Sequence, residues 1–411
     1  MAQRACEAAV TAHGFRGTER FSRLRVMSDL TTLAPYLLPD EITQLRDLVR
    51  QVAREQVAPR AAELDEKSEY GWDVRAILAE NDIFGLPFDE EHGGTGTGTL
   101  MLNIAIEELA HADASTALML MTQELGTLPI KLFGSDEMKA RVLPDCASGK
   151  AIPAFGLSEP GAGSDAGGMV TSAVQDGDEW VINGTKNWIT NTGIATFYVV
   201  FAVTAREPKR QITAFLVEAD RPGVSVGKLE HKMGMRSSPT GQPIFDDVRV
   251  PAANVIGEVG KGMRVALGTL QVSRLGAAAQ AVGIAQGATD YAVAYAKERE
   301  QFGKSLSQFQ GIQWKLADME AKTAAARELL YTACCKIEAG APDASRYSSM
   351  AKLICADTAM AVTTEAVQVL GGYGYVTEYP VERMMRDAKL TQIYEGTSEI
   401  QRVVISRDLL G

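Results

Sequence analysis

The sequence is short of the residues that metal and hydrolytic chemistry need. Its four histidines (His13, His92, His111 and His231) are isolated, so no pair stands at the spacing that holds a zinc ion. The five cysteines (Cys6, Cys146, Cys334, Cys335 and Cys355) are odd in number and form no C-x-x-C. That excludes a disulfide frame and indicates reduced thiols, as in a cytosol or a mitochondrial matrix. Neither a G-x-S-x-G elbow nor a Cys/His nucleophile pattern occurs, which leaves a hydrolase without its nucleophile. Positive charge is also in deficit, with 41 Lys and Arg against 52 Asp and Glu and a net charge of −11. A nucleic-acid or anionic-membrane surface would need the reverse. No uninterrupted apolar run approaches the ~20 residues that span a bilayer.

What is present is a chain of 411 residues, 46% hydrophobic and 23% charged, enough for a large core divided between two or three domains. Residues 1–26 carry five Arg and two Glu and lack the apolar core of a secretory signal. Their composition fits a transit segment, but the expected reading of residues 1–37 is a flexible extension. Order is expected from Pro39-Asp40, an N-cap signal ahead of Ile42, Leu45, Leu48, Val49 and Val52 at helical spacing. Further helical patterns at about 73–81, 97–111 and 114–125 predict a helical domain over 38–151.

The period then changes from 3.6 to 2. Thr171–Val174, a turn at Asp176-Gly177, Glu179–Ile182 and a second turn at Asn183-Gly184 read as a hairpin. Phe197–Val203, Ile212–Val217, Val224–Val226 and Phe245–Val250 add short strands rich in Val, Ile and Phe. The expected middle domain, 152–258, is an antiparallel β-barrel or sandwich. Helical spacing returns from about Met263 to Glu300 and again through Ile312, Leu316, Met319, Thr323, Ala326 and Leu330, predicting a four-helix bundle over 259–411.

Chemistry concentrates near the C-terminus. In Tyr394-Glu-Gly-Thr-Ser-Glu-Ile-Gln401 a lone carboxylate, Glu395, precedes a glycine and a helix start. Ser398 and Gln401 read as a capping box for that helix. A carboxylate beside a helix terminus is ordinarily a solvated charge. It becomes a base when an apolar ligand expels its water, because desolvation raises its pKa. Upstream, Phe155-Gly-Leu-Ser-Glu-Pro-Gly-Ala-Gly-Ser-Asp165 is a glycine-rich loop whose N–H groups and hydroxyls suit a pyrophosphate or a ring carbonyl. It lacks the spacing for NAD and the lysine for ATP, and a plain turn remains open.

From about residue 38 to its end the sequence resembles the acyl-CoA dehydrogenases. The likeness rests on Gly156-Leu-Ser-Glu-Pro-Gly-Ala-Gly-Ser-Asp-Ala-Gly-Gly168 and on Gln368-Val-Leu-Gly-Gly-Tyr-Gly-Tyr375 running through Glu378 and Arg383 to Asp387. Trp188-Ile-Thr190 and Arg299-Glu-Gln-Phe-Gly303 accompany them. The resemblance implies the fold of that family, FAD, an acyl-CoA thioester, electron-transfer flavoprotein as acceptor, and a homotetramer built as a dimer of dimers. It implies that Phe155, Leu157, Ser158, Gly163 and Ser164 approach the flavin and pyrophosphate, with Ser158 at the pyrimidine side. Trp188, Ile189 and Thr190 would flank the flavin, with the Thr190 hydroxyl near N5. Arg299, Phe302, Gln310 and the Gln368, Val369, Leu370, Gly371 and Gly372 backbone would hold the ADP half of a neighbouring subunit's FAD, and Thr397 and Glu399 would touch the cofactor.

Glu395 would be the base that takes the α-proton, with its own N–H and a ribityl hydroxyl aimed at the thioester oxygen. Some relatives place the base on the long helix before an arginine; here that position is Ser273, before Arg274. Ser164, Gln271, Ser273, Arg274 and Gly396 are the expected substrate contacts, although Gln271 stands where many relatives carry Asp. Alternatives on the same fold are a flavin oxidase or monooxygenase, or an enzyme acting on a carrier-bound acyl group. Outside enzymes, the alternatives are a silent subunit or a DNA-binding relative, the latter opposed by the acidic charge.

Overall fold

The computed structural model describes residues 38–411; the expectations for residues 1–37, with Cys6 and His13, lie outside it. Helices Asp40–Val52, Ala58–Lys67, Trp72–Glu80, Gly98–Ala112, Ala114–Phe133 and Asp136–Ala147 come first. Pro39, not Asp40, is the first N-cap, and it makes no side-chain bond. Asp40 instead opens the helix, where a carboxylate still favours the dipole. The helix expected at 114–125 continues to Phe133 through an internal Pro129. Its N-cap Asp113 accepts from the Thr116 N–H.

The middle segment folds as nine strands: β1 (Pro153–Gly156), β2 (Ser172–Asp176), β3 (Glu179–Thr185), β4 (Ile189–Thr190), β5 (Phe197–Ala205), β6 (Gln211–Glu218), β7 (Val224–Leu229), β8 (Thr240–Pro251) and β9 (Val255–Ile256). They form one sheet in the order β4-β8-β3-β2-β5-β6-β9, with β1 beside β5 and β7 beside β8. The order does not close on itself, so the sheet is sandwich-like rather than a closed barrel. It is also mixed, since β1 and β2 pair parallel to β5. Strand β5 explains the arrangement. Phe197, Val199, Phe201 and Val203 face a core shared with the helices, while Tyr198, Val200 and Ala202 face a core built from strands. Both faces are buried, so the strand reads as one continuous apolar run.

Asn183-Gly184 is not the expected turn. Strand β3 passes through it with a register shift between Ile182 and Gly184, and the Asn183 side chain accepts from the Asp247 N–H at 2.8 Å. The tertiary partner, β8, continues beyond the glycine and draws the strand with it, which makes the pair a bulge.

Helices Gly262–Glu298, Gln310–Glu338, Ala344–Leu370 and Pro380–Thr391 form the C-terminal bundle, and Ser398–Leu410 lies along Ala344–Leu370. The 37-residue helix Gly262–Glu298 is the axis of the molecule. Ala277, Ala278, Ala279, Ala281, Ala285 and Ala288 on it are all buried. A Cβ at Gly283 would stand 2.2 Å from the Glu107 carbonyl, so helix Gly98–Ala112 crosses it at backbone contact. The segment Ala344–Tyr375 is long and apolar enough to cross a membrane by composition, but here it is a bundle helix.

Candidate active site

Glu395 sits in the connection between helices Pro380–Thr391 and Ser398–Leu410, with φ 52°. A left-handed non-glycine residue is costly and persists only where its surroundings fix it. Gly396 follows at φ 91°, a conformation open to glycine. The helix cap is Thr397, whose side chain accepts from the Ile400 N–H, one residue earlier than the expected Ser398. Gln401 donates to the Gly396 carbonyl at 2.8 Å and to the Glu395 carbonyl at 3.3 Å, reaching back around the turn instead of forming the box.

The long helix supplies the other wall. Ser273 donates from Oγ to Glu395 Oε2 at 2.7 Å, so the residue in the relatives' alternative base position here supports the Glu395 carboxylate. Arg274 is 7% exposed and is used internally. It donates to the Leu270 carbonyl at 2.7 Å, Ser349 Oγ at 2.6 Å and Gln401 Oε1 at 3.1 Å. Burial raises the Glu395 pKa, and the Ser273 hydrogen bond, Arg274 and Lys352 oppose that rise. The Glu395 N–H has no hydrogen-bond acceptor among the described residues. A half-buried, desolvated carboxylate and a free N–H on one residue offer a proton acceptor beside a donor for a developing oxyanion.

The glycine-rich loop and the Trp188 strand are joined by a buried ion pair. Lys186 Nζ stands 2.8 Å from Glu159 Oε1 and donates to the Leu157 carbonyl at 3.2 Å. Glu159 also accepts from the N–H groups of Val170 and Thr171, and the Asn187 N–H donates to the Ser158 carbonyl at 2.9 Å. The knot leaves Gly163 and Ser164 exposed at the loop tip and Ser158 and Thr190 half-buried. Phe155 packs edge-on to Phe201, and Ile189 and Leu157 are buried. Trp188 has φ 61° and is 61% exposed, an indole held out from the sheet.

Two further groups lie elsewhere. Thr397 and Glu399 line a cleft of about 360 Å³ with Asp357, Lys389, Gln392 and Arg402. At the far end of the long helix, the Arg299 guanidinium stands 5.1 Å from the Tyr373 ring centre, next to exposed Phe302, Gln310, Gln368, Gly371 and Gly372; Val369 and Leu370 are buried. Added Cβ atoms at Gly161, Gly163, Gly371 or Gly372 would meet nothing within 4 Å. Open backbone at Gly161 and Gly163 beside the indole leaves room for a flat ring, and Gly371 and Gly372 leave room for a second group at the far end of the helix.

Three family models tile the described chain: the acyl-CoA dehydrogenase N-terminal domain over 39–150, the middle domain over 154–248 and the C-terminal domain over 260–410. The chain belongs to the acyl-CoA dehydrogenase family. A Mycobacterium tuberculosis protein named "Probable acyl-CoA dehydrogenase FadE25" is 47% identical over 378 residues, 91% of this chain and 97% of that one. The structure of butyryl-CoA dehydrogenase from Megasphaera elsdenii superposes with a TM-score of 0.89 at 44% identity, covering 92% of this chain and all of the other. A chain in the structure of the electron transferring flavoprotein of Acidaminococcus fermentans gives 0.89 at 43% identity, covering 91% and 99%. This family member is an FAD-dependent oxidoreductase.

Lys352, Ser349, Glu124 and the Glu159–Lys186 pair were not singled out from the sequence. Glu159 and Lys186 stood inside or beside quoted motifs, whereas Lys352 carried no local signal.

Proposed function

We propose that the protein dehydrogenates a saturated acyl-CoA to the trans-2-enoyl-CoA, with Glu395 removing the α-proton. The observation that carries this reading is the Glu395 carboxylate, desolvated and held by Ser273 beside its own unengaged N–H. Bound FAD supplies the hydride acceptor for the β-carbon. The residues of the chain do the rest. Glu395 accepts the proton, its N–H stabilises charge on the thioester oxygen, and the loop at Ser158–Ser164 with Trp188, Ile189 and Thr190 seats the flavin. Gln271, Ser273 and Gly396 border the thioester. Arg274 acts from behind them as a buried charge.

Arg299 serves a neighbour's cofactor in this reading. It lies 26 residues beyond Ser273 at the end of one helix, about 39 Å at helical rise, too far to share one FAD with Glu395. The exposed Phe302 (93%) and Tyr375 (86%) at that end fit burial against a second copy, within a dimer of dimers. Electrons leave to an electron-transfer flavoprotein, in a bacterial cytoplasm or a mitochondrial matrix. Domains are set at 38–151, 152–258 and 259–411.

Anaerobic stopped-flow mixing with a panel of acyl-CoA thioesters tests the reading. Wild-type flavin should bleach, and Glu395→Gln should bind FAD and thioester but bleach at least ~10²-fold more slowly. Near-wild-type bleaching in Glu395→Gln would falsify the assignment of the base.

A further inference from the structure

Lys352, on helix Ala344–Leu370, is 0% exposed. Among the described residues it makes no salt-bridge contact, and its hydrogen-bond acceptor is the Gly396 carbonyl at 2.7 Å. Burying an ammonium with no carboxylate in contact is unfavourable, so its placement against the turn that carries the base calls for a reason. The same carbonyl accepts from Gln401 Nε2 at 2.8 Å. Both of its lone pairs are therefore occupied, by donors from two different helices. This fixes the peptide that follows Gly396, and Gln401 also donates to the Glu395 carbonyl at 3.3 Å, so the turn is held at the φ 52° that a glutamate would not keep unaided.

We propose that Lys352 is a positioning residue for the catalytic base: it pins the Glu395-Gly396 turn through the Gly396 carbonyl, and its buried ammonium favours the carboxylate form of Glu395, the form that can take a proton. The inference rests on the reading of Glu395 as the base. The groups facing that carboxylate are Ser273 and Arg274 from the long helix, Lys352 from its own helix, Glu124 from helix Ala114–Phe133 and the neighbouring Tyr394. Lys352 in turn faces Glu395, Arg274, Asp357 and Glu399. Burial pushes the ammonium down to about 8, with Glu395 the largest influence holding it up. Each charge thus supports the other, and the Ser273 hydrogen bond and Arg274 would have to offset the desolvation of the base without help if Lys352 were neutral.

Three variants separate position from charge. Lys352→Met removes both, Lys352→Gln keeps a donor for Gly396 without the charge, and Lys352→Arg keeps the charge at altered reach. For each, FAD content, the Kd of an enoyl-CoA product and the pH profile of anaerobic flavin reduction are measured. In Lys352→Met we expect retained FAD and product binding, reduction slowed by roughly 10- to 100-fold, and the acid limb of the profile moved to higher pH. Lys352→Gln should recover part of the rate but keep the displaced limb, and Lys352→Arg should return the limb towards the wild-type position. If Lys352→Met does not fold, the Gln and Arg pair decides the matter. A wild-type acid limb in Lys352→Gln, or a rate loss that only follows lost FAD, overturns the inference. Activity surviving in Glu395→Gln would instead sink the underlying reading, whatever the lysine variants do.

Discussion

Glu395 is a carboxylate made basic by its surroundings, and a second buried acid stands close enough to feel its charge. Glu124 is 5% exposed, and its carboxylate has no hydrogen-bond partner among the described residues. Burial drives its pKa up to about 7, with Lys131 opposing and Glu395 adding to the rise. A carboxyl whose folded pKa is raised contributes stability below its unfolded pKa, and that stability is lost as pH rises through the folded value. For Glu124 the window runs from the ordinary carboxylate value of 4.5 to about 7. Glu124→Gln should therefore be more stable than wild type at pH 8, by at most roughly 3 kcal/mol, with the advantage gone near pH 4. Melting temperatures at the two pH values check this, and an advantage unchanged by pH would show that Glu124 does not titrate on folding.

Among the elements, β3 shows how a tertiary partner overrides local turn chemistry. Gly184 has φ 153°, and a Cβ there would lie 2.4 Å from Thr171 Oγ1 and 2.8 Å from the Thr171 backbone. Thr171 also donates its N–H to Glu159, so it cannot retreat without disturbing the ion pair under the glycine-rich loop. Gly184→Ala should cost about 1–3 kcal/mol by overpacking, read from urea unfolding, and should weaken FAD retention. A variant as stable as wild type would mean the bulge can relax.

On the scale of the whole molecule, the long helix separates two groups of expected cofactor residues. Ser273 touches Glu395 near its beginning and Arg299 caps its end, so under the proposed function a complete FAD site would draw on a second chain. Arg299→Ala should leave the monomer fold intact, weaken FAD binding by at least about tenfold and make FAD retention fall on dilution. Ultracentrifugation with flavin absorbance tests this; a monomer that keeps its FAD at high dilution would refute the shared site.

The sequence by itself determined the order of helical, sheet and helical segments, because the change of period from 3.6 to 2 and back is a local property of the chain. It also singled out Glu395 and the glycine-rich loop as site candidates, since both lie in contiguous motifs. Its errors were local signals outvoted at a distance: Asn183-Gly184 became a bulge because β8 continues past it, and the helix cap moved to Thr397 because Gln401 turned back to the Gly396 carbonyl. Lys352 was invisible for the same reason. It stands 43 residues before Glu395 in an apolar helical stretch, and periodicity reports which face of a helix is buried but not what arrives there from another element. Only the packing of Ala344–Leu370 against the long helix and the C-terminal turn put an ammonium, a guanidinium and a serine hydroxyl around one carboxylate.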